Sequence, residues 1–164
     1  MTHADKVRGD ILHQTDPRLT PALNSWGCRV MALLAIPQFV VGRALSVAQI
    51  LDIVERGRQM DGVIIHDRMR AGGNEHQLIR MAFEALGANR TGRQVGWKES
   101  QQSLIDWEYM IRRWTTEEGG QHFDLADRRG VELYDPYNAE QAHYSLTKRE
   151  MVQPLLYRTW EMDT

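Results

Sequence analysis

Residues 25–37, SWGCRVMALLAIP, are the most informative segment of the chain for its fold. From Cys28 onwards it is apolar on nearly every side, which is typical of a helix buried at the centre of a domain. Pro37 disfavours the helical conformation at Ile36, so the helix is predicted to end there. The apolar run from Val30 to Val41 is shorter than the roughly 18 residues that span a bilayer, so an integral membrane protein is not expected.

The bulk composition is that of an ordinary globular protein. The chain has 164 residues, of which 42% are hydrophobic and 26% are charged. That length and balance predict one folded domain over residues 1–164 with a core of its own. The net charge is -2, so no overall positive field attracts a phosphate backbone, and a nucleic-acid partner is not expected.

Cys28 is the only cysteine of the chain. No disulfide can therefore form within the chain, the thiol is free to react, and the composition favours a reducing compartment. Residues 1–21 are polar and lack the apolar stretch of a secretory signal peptide. We therefore expect a cytoplasmic protein, with export by another route left open.

The first part of the chain carries the patterns of helices. Residues 1–25 show no sustained period and are predicted to form an N-terminal arm packed on the domain, with a short helix near residues 6–13. Ser46 and Gln49 make a capping box in front of an apolar pattern, which predicts a second helix over residues 47–59.

The middle of the chain carries the patterns of a short strand and a third helix, and the later part carries those of further strands. Residues 63–65 predict a short strand, and Asn74 is predicted to cap a third helix that ends at Gly87. Strand patterns begin near Leu104, and a closing strand is predicted within residues 155–162. N-terminal helices, with the buried helix at their centre, packed on a C-terminal antiparallel sheet make the predicted fold class α+β.

The position of Cys28 at the start of the central helix favours a reactive thiol. The thiolate is the nucleophilic form of cysteine, and the positive end of a helix dipole, together with unpaired backbone N–H groups, stabilises that anion. Gly27 lets the backbone approach closely, and the same N–H groups are placed to hold an oxyanion. The structural alternative is that Cys28 is a small buried apolar residue.

A cysteine nucleophile needs an imidazole that takes and returns a proton and a third group that holds the ring. His122 follows Gly119-Gly120 at the predicted opening of a hairpin, and Asp135 lies near the end of its second strand. We predict that His122 is the general acid and base and that Asp135 orients it. His143 is the alternative base, but no glycine turn precedes it.

The turn of this hairpin leaves two strand registers open. Residues 127–130, DRRG, fit a type I turn between a strand at residues 121–127 and a second short strand. With a two-residue loop, His122 lies opposite Asp135, with Cβ atoms about 4.5 to 5.5 Å apart. If Gly130 joins the loop as a bulge, the register moves by one residue and Asp135 turns to the other face.

Three features together resemble the papain-like cysteine peptidases. They are Gly27-Cys28 at the opening of an apolar helix, the glycine-led segment GQHF at residues 120–123, and the segment YDP at residues 134–136, in the order Cys, His, Asp. The resemblance is to the compact bacterial form shared by bacteriocin-processing peptidases and cell-wall endopeptidases. Similar patterns also occur in small phage and prophage proteins.

The resemblance implies a papain-like fold and a cysteine hydrolase, either a peptidase or an amidase, that works through an acyl-enzyme intermediate. It implies a catalytic centre of Cys28, His122 and Asp135 acting on a peptide or amide substrate. It implies no cofactor.

The segment before the cysteine departs from the family pattern. Papain-like enzymes usually place a Gln a few residues before the cysteine as an oxyanion-hole donor, whereas this chain offers only Asn24 and Ser25 there. Asn24 is the candidate donor, at closer spacing, and Gln14 lies far upstream. The departure keeps open a second interpretation, a catalytically inactive papain-like domain that binds or regulates a protein partner, such as a phage-encoded regulator.

The histidines do not form the pattern of a metal site. His66, His76, His122 and His143 lack the helical i, i+3 or i, i+4 spacing and the short Cys/His spacing of established sites. We therefore predict no metal ion.

Overall fold

The computed structural model describes residues 7–65, 69–97, 107–117, 119–137 and 148–163. The helices are α1 (Pro21–Trp26), α2 (Cys28–Val41), α3 (Val47–Gln59) and α4 (His76–Ala85). The strands are β1 (Ile64–Ile65), β2 (Arg70–Ala71), β3 (Arg90–Trp97), β4 (Tyr109–Thr116), β5 (Gln121–Asp127), β6 (Glu132–Tyr134) and β7 (Lys148–Glu161). Helices packed on a five-stranded antiparallel sheet confirm the predicted α+β class.

The central helix α2 begins at Cys28, but its predicted end was wrong. It runs through Pro37 and ends at Gly42, whose left-handed φ of 83° lets its N–H bind the carbonyl of Gln38. Every residue from Val30 to Phe39 is buried. Burial along the whole helix therefore outweighs the hydrogen bond that Pro37 removes. None of the helices in the described ranges is long and apolar enough to cross a membrane.

The N-terminal arm contains a helix that was not predicted. Thr20 caps α1 by accepting the N–H of Leu23, and Pro21 occupies the first turn. Proline disrupts a helix interior but favours a helix start, and the absence of a sustained period in residues 1–25 gave no sign of this short helix. Of the short helix predicted near residues 6–13, residues 7 and 8 are helical among the described ones. The arm does pack on the domain, with four apolar side chains of its described residues buried in the core: Val7, Ile11, Leu19 and Leu23.

Two predictions between residues 46 and 65 are confirmed. The capping box forms in both directions, since Ser46 accepts the N–H of Gln49 and the Gln49 side chain accepts the N–H of Ser46. Helix α3 has the predicted bounds. The predicted short strand forms as β1 and pairs antiparallel with β2.

Helix α4 begins one residue later than predicted. Its N-cap is Glu75, because the side-chain amide of Asn74 donates to the carbonyl of Asp61 instead of capping the helix. Gly87, with a left-handed φ of 78°, follows the last turn as predicted.

The order of strands in the large sheet is β3-β7-β4-β5-β6. Strand β3 was not predicted, because it lies at the sheet edge and its sequence is polar and interrupted by Gly92 and Gly96. The closing strand is longer than predicted and begins at Lys148. As β7 it lies between β3 and β4, in the interior of the sheet.

The turn between β5 and β6 contains the bulge residue that the sequence left open. Oδ1 of Asp127 accepts the N–H groups of Arg129 and Val131. Gly130 adopts a left-handed φ of 87°, which glycine reaches without strain. Strand β5 itself has the predicted bounds.

A second irregularity lies within the β5–β6 ladder, between Leu125 and Ala126. Leu125 pairs with Tyr134, so β6 is displaced by two residues relative to a hairpin with a two-residue loop. A displacement of one residue turns a side chain to the other face, and a displacement of two returns it. The register predicted with Gly130 as a bulge holds at the pair Ala126 and Glu132, and the second irregularity then adds one more residue, so that Asp135 lies on the same face as His122.

Helix α2 lies at the centre of the main core and packs against α4 and β5. The side chains that the sheet buries in this core include Ile111, Leu125, Leu155 and Tyr157. The packing of α2 on β5 brings the start of the helix to the start of the strand that carries His122.

Candidate active site

His122 and Asp135 form a short hydrogen bond. The Nε2 atom of His122 lies 2.6 Å from Oδ1 of Asp135, and the His122 side chain is only 2% exposed. The same Oδ1 accepts the backbone N–H of Tyr137 at 2.9 Å. Two donors therefore fix this oxygen, which is the arrangement by which a carboxylate orients an imidazole for proton transfer.

The thiol of Cys28 is another neighbour of the His122 ring, close enough to act on the protonation of the ring. Because Nε2 faces Asp135, Nδ1 is the nitrogen left for the thiol. Cys28 is half-buried at the first position of α2. The three residues singled out in the sequence are thus adjacent in the order sulfur, imidazole, carboxylate.

Gly27 makes the close connection between α1 and α2 possible. Its N–H donates to the carbonyl of Leu23 at 2.9 Å, and a Cβ added to Gly27 would lie 2.5 Å from that same oxygen. Any side chain here would therefore push the start of α2 away from α1. The N–H of Cys28 is the first of α2 and has no acceptor within that helix, so it is a candidate donor to an oxyanion.

The neighbours of the ring also determine its charge. Burial alone lowers the pKa of His122, but the hydrogen bonds and charges of Asp135 and Cys28 outweigh burial and raise the pKa to about 9. Burial raises the pKa of Asp135, but His122 and Lys148 lower it to about 2. At neutral pH the ring is therefore an imidazolium that is paired with a carboxylate.

Asn24, the oxyanion donor suggested by the sequence, has its amide committed elsewhere. Its Nδ2 donates to the carbonyl oxygens of Gln14 at 2.5 Å and of Asp16 at 2.9 Å. A side-chain amide has two N–H donors, so both are used on the backbone of the arm. Asn24 ties the arm to α1, and this arrangement leaves it no N–H for an oxyanion.

Gln14, which lies far upstream in the sequence, is buried next to Asn24. Its Nε2 donates to the carbonyl of Asn24 at 3.1 Å, and its backbone N–H donates to the carbonyl of Pro136 at 2.8 Å. Its Oε1 has no hydrogen-bond partner among the residues that the structure describes. Gln14 therefore joins the arm to the segment that carries Asp135.

Lys148 is a member of the site that the sequence did not reveal. Its Nζ lies 2.9 Å from Oδ2 of Asp135, 2.7 Å from Oδ2 of Asp124 and 2.6 Å from Oε1 of Glu132. Arg112 makes a bidentate pair with Asp124, with both bonds at 2.8 Å. We call these five residues the charge cluster. No motif marks Lys148, because only the interior position of β7 in the sheet brings it to Asp135.

The three carboxylates of the charge cluster are close enough together to hold a metal ion, with ligand oxygens within 4.8 Å of one another. The ammonium group of Lys148 lies at hydrogen-bond distance from all three, and Arg112 binds one of them. Cations of the chain itself therefore neutralise these carboxylates, and the cluster is an ion-pair network.

Of the other histidines named above, the structure describes His76. His66 and His143 lie outside the described residues. His76 begins α4, and its ring contacts the side-chain amide of the neighbouring Gln77 at 3.4 Å.

Comparison with known proteins yields no relative. No protein-family model, no curated protein and no solved structure matches this chain. The assignment of a function therefore rests on the geometry of the site.

Proposed function

We propose that this protein is a papain-like cysteine hydrolase, a peptidase or an amidase, with Cys28 as its nucleophile. The observation that carries the proposal is the chain of contacts from Cys28 through the His122 ring to Asp135. A helix start, an imidazole and a buried carboxylate are the parts that activate a thiol for acyl transfer.

Acylation begins from the ion pair in which Nδ1 of the His122 imidazolium already holds the proton that Sγ of Cys28 has given up. The thiolate attacks the carbonyl carbon of a peptide or amide, and the carbonyl oxygen takes up the negative charge. Nδ1 then gives its proton to the leaving amine as the C–N bond breaks, which leaves a thioester on Cys28. Asp135 holds the ring through Nε2 and stabilises the imidazolium during these steps.

Deacylation uses the same groups in reverse order. Nδ1 of His122 takes a proton from water, the resulting hydroxide attacks the thioester carbonyl, and the sulfur of Cys28 leaves as a thiolate beside the protonated ring. In both halves of the reaction we assign the backbone N–H of Cys28 to the oxyanion, because it lies at the positive end of α2.

A second candidate function is a papain-like domain that binds a protein partner without turnover, such as a phage-encoded regulator. The observation that favours it is the commitment of both N–H groups of Asn24 to backbone carbonyls. Asn24 then does not supply the side-chain donor that papain-like enzymes usually place before the cysteine. The two functions differ in whether the thiol is reactive.

The hydrolase proposal predicts that Cys28 is alkylated at a pH where an ordinary thiol is protonated. Iodoacetamide should label it rapidly near pH 6, below the reference thiol pKa of about 8.5. The single cysteine makes the label site-specific, so intact-protein mass spectrometry gives the rate. His122→Gln should reduce the rate at pH 6 by about tenfold or more, because no imidazolium then pairs with the thiolate.

Cys28→Ser separates the two functions. This variant should lose hydrolysis of a mixed peptide and amide library, followed by mass spectrometry, yet unfold at nearly the wild-type temperature. Turnover by Cys28→Ser at the wild-type rate, or wild-type alkylation that rises only above pH 8, contradicts the hydrolase proposal. An ordinary alkylation profile with no turnover by the wild-type protein supports the binding protein instead.

A further inference from the structure

The carboxylate of Asp135 is shared between two cationic partners. Its Oδ1 accepts Nε2 of His122 at 2.6 Å and the N–H of Tyr137 at 2.9 Å, whereas its Oδ2 accepts Nζ of Lys148 at 2.9 Å. Each cation reduces the negative charge that the other experiences. The protonation of the His122 ring is therefore linked to Lys148, although the two side chains bind different oxygens of Asp135.

The charge cluster has one negative charge in excess. Arg112 and Lys148 supply two positive charges, and Asp124, Glu132 and Asp135 supply three negative charges. A protonated His122 ring makes the whole group neutral. The cluster therefore favours the imidazolium, and each of its two cations limits that preference.

We propose that Lys148 is a positioning residue that acts on His122 through Asp135. By binding Oδ2, Lys148 weakens the hold of the carboxylate on the imidazolium, so that the ring can release its proton to a leaving group. A general acid works best when its proton affinity suits the working pH, and an unshared buried carboxylate would keep the ring charged. The catalytic meaning of this inference rests on the proposed function, but the charge balance does not require turnover.

The other titratable groups near the ring do not account for the effect of Lys148 on the protonation of His122. Among the described residues, the charged or titratable groups that lie near the ring or in the charge cluster include Cys28 of α2, His13 of the arm, Arg112 of β4, Asp124 of β5, Glu132 and Tyr134 of β6, Asp135 and Tyr137 after β6, and Lys148 of β7. Burial lowers the pKa of His13 despite the nearby carboxylates, and burial raises that of Tyr134 well above its usual value. Both are therefore uncharged near neutral pH, and the charge cluster and Cys28 dominate the field at the ring.

The titration of the His122 ring, followed by NMR of its imidazole C–H signals in the intact protein, tests the inference. Lys148→Met should raise the midpoint by about one pH unit, because Asp135 then faces the ring alone while its Oδ1 keeps both donors. Glu132→Gln should lower the midpoint by about half a unit, because Lys148 then acts more strongly on Asp135. Lys148→Arg, which keeps the charge, should restore most of the wild-type value.

A matched control is Arg149→Met, which removes an exposed cation at the next position of β7 and should leave the midpoint unchanged. A Lys148→Met midpoint at or below the wild-type value overturns the inference. If that variant does not fold, Glu132→Gln decides the matter, since an unchanged or raised midpoint there contradicts the inference equally. Charge sharing predicts midpoint shifts of opposite sign in Lys148→Met and Glu132→Gln. A purely structural role of these residues would instead disturb the position of the ring in both variants.

The same titrations in a Cys28→Ser background separate this inference from the proposed function. The signs of the shifts should persist, because they depend on the charge cluster and not on the thiol. Opposite shifts of the His122 midpoint, together with an ordinary alkylation profile of wild-type Cys28, would contradict the hydrolase proposal and support the link between Lys148 and His122. A Cys28 that is reactive near pH 6, together with His122 midpoints that do not move in the variants, would contradict the link between Lys148 and His122 and leave the hydrolase proposal intact.

Discussion

In the helical half of the candidate site, Cys28 stands at the start of a helix whose residues from Val30 to Phe39 are all buried and almost all apolar. In the sheet half, His122 is held by Asp135 and lies beside the ion pairs of the charge cluster. The helical half is held by apolar packing and the sheet half by charges. The helical half supplies Cys28 and the sheet half supplies His122 to the candidate active site.

This difference separates the placement of the nucleophile from the chemistry of the base. Apolar burial places Cys28 with little dependence on pH, because hydrophobic contacts involve no titrating group. The His122 ring and the carboxylate of Asp135 gain or lose protons within an accessible pH range. A change in the helical half should therefore alter stability equally at all pH values, whereas a change in the sheet half should alter its pH dependence.

The largest loss of stability is expected for Asp124→Asn in the sheet half. Asp124 is fully buried and binds both Arg112 and Lys148. The variant breaks both bonds of Arg112 to the buried carboxylate and the bond from Lys148, and breaking a buried ion pair by removing one partner costs about 3 to 5 kcal/mol. Urea unfolding at pH 7 measures this loss.

Asp52→Asn is the control for a charge removed from an exposed pair. Asp52 lies 3.7 Å from Arg56 on the surface of α3. Exposed pairs of this kind contribute about 0 to 1 kcal/mol, so this variant should unfold close to the wild-type urea concentration. Similar small losses in the two variants would mean that the charge cluster holds the sheet half no better than a surface ion pair does.

The helical half was largely predictable from the sequence because its patterns are local. The apolar run after Cys28 marks the buried helix, and the capping box at Ser46 fixes the start of α3. The predicted end of α2 failed at Pro37, since burial of the whole helix depends on neighbours that the local sequence does not show. The same limit applies to Asn24, whose amide bonds to an arm with no clear local pattern.

In the sheet half, the sequence indicated the residues but not their arrangement. His122 and Asp135 stood out through a glycine turn and the order of the motifs, yet the second irregularity of the ladder contains no turn residue that marks it. Lys148 depends on β7 entering the sheet between β3 and β4, a long-range pairing that no short motif encodes. Local patterns therefore found the ring and its carboxylate, and missed the cation that shares the carboxylate.

An intermediate effect, of about 2 to 3 kcal/mol, is expected in the pH dependence of stability. The pKa of His122 is raised from 6.5 to about 9, so its stabilisation is complete below pH 6.5 and is lost as the pH rises through 9. The pKa of Asp135 is lowered from 3.8 to about 2, so its stabilisation is present above pH 3.8 and is lost as the pH falls towards 2. The free energy of unfolding in urea should decline over both intervals.

Variants in the two halves should change this pH profile in different ways. His122→Gln should flatten the decline between pH 6.5 and 9, because the titrating group is gone. Ile36→Val, in the buried part of α2, should lower the free energy of unfolding by about 1 kcal/mol at every pH and leave the slope unchanged. The comparison would be wrong if the slope of the unfolding free energy between pH 6.5 and 9 changed in Ile36→Val and persisted in His122→Gln. The pH dependence would then come from the helical half and not from the sheet half.

A small change in stability is expected for Gly27→Ala, which tests the helical half where it meets the sheet half. The added Cβ would lie 2.5 Å from the carbonyl oxygen of Leu23, so the start of α2 must move, at a cost of about 1 to 2 kcal/mol. That movement should separate Cys28 from His122 and slow alkylation at pH 6 by about tenfold, while the rate at high pH changes little. Gly73→Ala is the matched control, because no atom lies within 4 Å of its added Cβ, and it should change neither quantity. If Gly27→Ala keeps the wild-type alkylation profile, the reactivity of Cys28 does not depend on the close connection between α1 and α2.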